Sequence, residues 1–120
     1  MRLFTELVFD QVVRGSNIEV VSPAQFNDLL GRAYDLVYEI EVEEASGTTP
    51  TISVRHLHSN SGKGFVGLPN LVSAVSLGTL PYRDVTAQPG LLGGLGQVGV
   101  TLGGTTPSAR VRIWATGWSR

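Results

Sequence analysis

Residues 34–44, YDLVYEIEVEE, alternate without a break: Tyr34, Leu36, Tyr38, Ile40 and Val42 are interleaved with Asp35, Val37, Glu39, Glu41 and Glu43. A strand sends successive side chains to opposite faces, so one face here is apolar and aromatic while the other carries four carboxylates and a valine. The stretch reads as a central, half-buried antiparallel strand. Turn residues follow, Ala45-Ser46-Gly47-Thr48-Thr49-Pro50, and then a second strand-like run, Thr51–His58. The pair is expected to form a hairpin with a long loop.

Working outward, Leu3–Val13 is rich in β-branched and aromatic residues and reads as a first strand; Ile18–Val21 reads as a short second one after the Arg14–Asn17 turn. Between Ser22 and Gly31 two readings stand: a short helix with Ser22 as N-cap and Pro23 at its first position, or an ordered loop pinning Phe26 and Leu29 to the core. Leu71–Leu77 is another strand, and Gly78–Pro89 reads as a long surface connection. Seven glycines fall between Gly90 and Gly104, too many for a stable helix; Val98, Val100 and Leu102 alternate with Gly99 and Thr101, a strand with a bare outer face on which something must pack closely. In the last strand, Arg110–Thr116, Val111, Ile113 and Ala115 share one face, and Arg110, Arg112, Trp114 and Thr116 the other. Gly47-Thr48-Thr49-Pro50 before Val54-Arg55 recurs, 57 residues later, as Gly104-Thr105-Thr106-Pro107 before Val111-Arg112. The repeat has two readings, an ancient duplication or two solutions to one turn problem, of which the second is preferred. The whole, residues 1–120, is expected to be a single all-β domain, an antiparallel, jelly-roll-like β-sandwich of about six to eight strands with at most one short helix.

A chain of 120 residues can bury roughly two-thirds of its surface, so it needs no disulfide or metal, and it has no cysteine. Neither a secretory signal nor a membrane span is visible. Charge is segregated: residues 1–54 hold nine acids and three arginines, residues 55–120 six basic residues and one acid. Pairing of acidic with basic strands, within the chain or between copies, accounts for this more simply than nucleic-acid binding, which is not expected.

No stretch carries a chemistry. Gly62–Gly67 and Gly94–Gly99 both match G-x-G-x-x-G, but neither lies between a strand and a helix, where a dinucleotide pyrophosphate needs it. His56 and His58 could hold a metal with Glu41 or Glu43, yet a polar strand end is the commoner outcome; Glu39, Glu41 and Glu43 read as a solvated row facing Arg55, Arg110 or Arg112. No catalytic, cofactor-binding or metal residue is assigned, no cofactor is expected, and the chain is read as not an enzyme. The best candidate binding surface is a C-terminal strip of Arg110, Arg112, Trp114 and Trp118, extended by Arg120, although sheet packing with cross-strand Arg–Glu pairs is the commoner role of such a strip.

Two stretches, Ala45–Val54 and Val98–Val111, resemble a family of small β-sandwich structural proteins of tailed bacteriophages, with the pattern SGTxPTLxVxVxxS followed by VxLGGTxPSxxVxIxxxG. The resemblance covers roughly the last two-thirds of the chain; residues 1–33 match nothing in it. It implies a non-enzymatic virion component, such as a capsid decoration or cement protein, made in the host cytoplasm. Its expected partners are copies of itself and a major capsid or tail protein, with no membrane. The alternative is a carbohydrate-binding or adhesive module, for which Tyr82, Trp114 and Trp118 are the available platform.

Overall fold

A computed structural model describes residues 2–90 and 93–119. Among these residues seven strands form one antiparallel sheet: β1 (Arg2–Arg14), β2 (Glu19–Val21), β3 (Tyr34–Ser59), β4 (Val66–Gly67), β5 (Val72–Ser76), β6 (Tyr82–Gln88) and β7 (Leu95–Ser119). The expected all-β fold is what forms, with one short helix, α1 (Asn27–Arg32), entered through a 3-10 turn at Ala24–Phe26. Of the two readings for residues 22–31, the helical one holds. Ser22, however, does not cap it; its hydroxyl accepts a bond from the Val98 amide instead.

The expected hairpin between Tyr34–Glu44 and Thr51–His58 does not exist. Both runs belong to β3, which bends sharply and changes layers, and each pairs with a different half of β7: Tyr38 lies opposite Ala115, Val54 opposite Val100. Alternation reports which face a residue takes but not which strand it pairs with, and a Gly-Thr-Thr-Pro segment suits a corner as well as a loop. The sheet thereby folds onto itself as two layers. The front layer holds β1, the C-terminal half of β7, the N-terminal half of β3 and β6; the back layer holds β2, the N-terminal half of β7, the C-terminal half of β3, then β4 and β5. The Gly78–Pro89 connection is a second correction, since residues 82–88 form the front edge strand β6 after the cis Leu80–Pro81 bond.

Both corners are built alike and lie against each other. Gly47 and Gly104 have φ of +109° and +103°, Thr49 and Thr106 of +49° and +46°. A Cβ at Gly47 would lie 2.8 Å from the Thr106 carbonyl oxygen, and one at Gly104 2.7 Å from that of Thr48, so only glycine fits either place. Thr48 pairs with Thr105, and the flanking pairs Ser46–Ser108 and Thr51–Gly103 exchange when 57 is added to one member and subtracted from the other. The echo in the sequence is therefore a local two-fold axis passing through the paired corners.

Between the layers lie Val8, Phe9 and Val13 of β1, Leu36, Tyr38, Ile40, Val42, Ile52 and Val54 of β3, and Val98, Val100, Leu102, Val111 and Ile113 of β7, all essentially inaccessible. The expected inward faces of the last strand and of the glycine-rich strand are both realised. The bare outer face of the latter is covered as anticipated, for a Cβ at Gly99 would lie 2.6 Å from the Glu19 carboxylate.

Candidate functional site

The four C-terminal strip residues share one surface, the outer face of the front sheet, because they alternate with Val111, Ile113 and Ala115 along β7. Register then decides their neighbours. Trp118 lies opposite Leu3, and Trp114 stands between Leu7 on β1 and Glu39 on β3. Leu3 and Trp118 are 56% and 43% exposed, Leu7 37%, and Val85 of β6, opposite Glu39, 63%. The apolar side chains of β1 and β7, side by side in solvent with Val85 set beyond Glu39, form a patch of the kind that marks an interaction surface. Thr5 and Thr116, hydrogen-bonded at 3.0 Å, fill the space between its two aromatic rows.

One level further along the strands the same face is ionic. Arg110 donates from Nε and Nη2 to Asp10 Oδ1 at 3.1 and 2.8 Å. Arg112 reaches Asp10 at 3.5 Å, Glu41 at 3.6 Å and Glu43 at 4.0 Å. Arg83 donates to Glu41 Oε2, its Nε lying at 3.0 Å, and the neighbouring carboxylate raises the arginine's pKa. Glu41 is the buried member, 7% exposed in its side chain, and it is held by two guanidinium groups. The expected Glu–Arg facing is present, through Arg112 as read from the sequence and through Arg83 and Asp10, which the sequence reading missed. Arg55 is not part of it; Arg55 grips Glu19 on the back face, at 2.7 and 2.9 Å. The segregated charges thus pair extensively within the chain.

The histidines lie elsewhere. His56 is fully buried, which corrects the expected solvent-facing strand end: β3 carries it beneath the front sheet, where Tyr38 Oη sits 2.7 Å from its Nδ1 and ties the two layers together. Among the described residues its Nε2 has no hydrogen-bond partner, and burial, with the charge of His58 adding, lowers its pKa to about 4. Burial likewise raises the Tyr38 pKa, so the phenol stays protonated. Glu41 and Glu43 are on the outer face of the other layer, so the less favoured reading, in which these carboxylates join the histidines around a metal, is not assembled. Among the described residues no group of three or more His, Asp or Glu is placed to hold a metal.

The three aromatics proposed as a sugar platform are also separated. Tyr82 packs against the core from β6 opposite Val42, its hydroxyl donating to Asp84 at 3.2 Å and its pKa pushed up to about 12 chiefly by burial, whereas Trp114 and Trp118 are outside. On the back sheet's outer surface a shallow depression is lined by Asn17, Glu19, Ser53, Arg55, Asn70 and Thr101, all polar. Among the described residues no helix is long and apolar enough to cross a membrane. Arg120 lies outside the described residues.

No protein-family model matches the sequence, and no curated protein matches it significantly. Among solved structures, the fold is similar to part of a chain in the structure of infectious bursal disease virus, Gt strain. The TM-score is 0.61 over 96% of this chain, at 7% sequence identity. This chain spans 31% of the viral one, so the likeness is of fold and of one portion.

Proposed function

We propose that this chain is a non-enzymatic structural protein of a virus particle, a decoration or cement component that self-associates at the particle surface and seats on a major capsid or tail protein. The observation that carries the reading is the outer face of the front sheet. There Leu3, Leu7, Trp114 and Trp118 are gathered by strand register into an exposed apolar patch beside a set of ion pairs already satisfied within the chain. An aromatic centre with a polar margin is the anatomy of a protein interface. The viral chain of similar fold adds support, and the resemblance of Ala45–Val54 and Val98–Val111 to structural proteins of tailed bacteriophages points to that setting.

Particles purified from cells carrying the gene in its own genome test this directly. The chain is expected to band with them in a density gradient, and the double variant Trp114→Ala/Trp118→Ala to be lost from the band while remaining folded. A wild-type chain that stays at the top of the gradient would overturn the reading.

A further inference from the structure

The alternation of charge on the front face has a geometric consequence for how two copies can meet. At one level of the four strands, register places Asp10 opposite Arg112, Arg112 opposite Glu41, and Glu41 opposite Arg83. From β1 to β6 the signs run minus, plus, minus, plus. A two-fold axis lying in the contact plane and parallel to the strands reverses strand order while keeping each level in place. The row of a second copy then arrives as plus, minus, plus, minus. Asp10 meets Arg83 of the second copy, Arg112 comes over its Glu41, whose carboxylate stays beneath its own Arg83 and Arg112, and each contact occurs twice, as an isologous interface requires.

The adjacent levels fit the same operation. Leu7, Trp114, Glu39 and Val85 form the next row, so Leu7 meets the second copy's Val85, and the Trp114 indole, a donor only, meets a Glu39 carboxylate. In the row beyond, Thr5 meets Ala87 and Thr116 meets Val37. An axis across the strands would instead set the ionic level on the apolar one or, passing through the ionic level, each charge against its own copy. Four strands at about 4.8 Å spacing and roughly eleven residues at about 3.3 Å give a face on the order of 700 Å² per copy, close to the ~800 Å² of a stable interface. Twisted sheets packed face to face cross at about 30°, which keeps the central rows in opposition.

We propose that two copies of this chain associate front face to front face about a two-fold axis parallel to the strands, with Asp10 of each against Arg83 of the other. This rests on the self-association reading above and names its partner and symmetry. The test is a charge swap. Asp10→Arg and Arg83→Asp each place like charges together twice, and each is expected to weaken the dimer at least about a hundredfold by analytical ultracentrifugation. Mixed one to one, the two variants are expected to recover a heterodimer near wild-type affinity, because each now supplies the charge the other lacks. Circular dichroism and melting check that both are folded.

If either fails to fold, Thr116→Cys and Val37→Cys, each in a chain otherwise free of cysteine, replace them: packed sheets lie about 10 Å apart, beyond disulfide reach, so the mixture is expected to be joined between chains by a short bis-maleimide. A wild-type oligomer unaffected by the folded swaps, swaps that weaken it but are not rescued by mixing, or a cysteine mixture that does not cross-link would overturn this geometry while leaving self-association intact. A wild-type chain monomeric at every concentration would overturn both.

Discussion

The outer surfaces of the two layers differ far more than the layers themselves. Adding 57 maps the C-terminal half of β3 onto that of β7, and along these runs the inward residues Ile52 and Val54 correspond to Ala109 and Val111, all buried. The outward residues Ser53, Arg55 and Leu57 correspond to Arg110, Arg112 and Trp114. On the back, the Arg55–Glu19 pair lies across Gly99 and Gly67, and small hydroxyl residues surround it. On the front, arginines, carboxylates and tryptophans crowd four strands. Shared corners and apolar inward faces specify the sandwich; the outer residues, free of that duty, specify what it meets.

The equivalence is most sharply broken at the corners. Gly47→Ala and Gly104→Ala each force a side chain onto a carbonyl at positive φ, and each is expected to cost about 3 kcal/mol or prevent folding. Denaturant titration checks this, and near-equal losses are what two-fold-related corners require.

Two inward positions depart from the repeat, since Ile113 corresponds to His56 and Ala115 to His58, and His56 is the fully buried one. Its folded pKa, about 4 against about 6.5 unfolded, means that the unfolded chain binds the extra proton between those values. Stability is full above pH 6.5 and falls as pH drops toward 4, by about 3 kcal/mol in all. In His56→Leu this part of the acid limb is expected to flatten, as read by melts across that pH range. An unchanged slope would place the acid sensitivity elsewhere.

The ion pairs of the two faces should differ as well. Glu41→Gln, which leaves two arginines facing a nearly inaccessible neutral group, is expected to cost about 2 kcal/mol. Glu19→Gln on the more exposed back face is expected to cost under about 1 kcal/mol. Smallest in stability, Trp118→Ser should shift the melt by no more than about 0.5 kcal/mol while lowering association, because Trp118 is exposed in the single chain.

Much of this was legible in the sequence because period-two alternation is a local signal: it identified the inward faces of β3 and β7 and the common face of Arg110, Arg112, Trp114 and Trp118. Partnership is not local. Nothing near Trp118 indicates that Leu3, 115 residues away, lies opposite it, nor that Arg83 reaches Glu41. The bend in β3 was hidden for the same reason, although the repeated Gly-Thr-Thr-Pro was its visible trace. His56 was misread because alternation gave its face correctly while the covering layer, which makes that face interior so close to the strand's end, comes from elsewhere in the chain.

Trp114 and Trp118 are the chain's two tryptophans, and both stand on the front face. Acrylamide quenching of their fluorescence across a dilution series therefore reads that surface alone. If the front face is where copies meet, quenching should fall and emission shift to the blue as concentration rises; quenching that stays constant while the native mass grows would mean that the copies meet elsewhere.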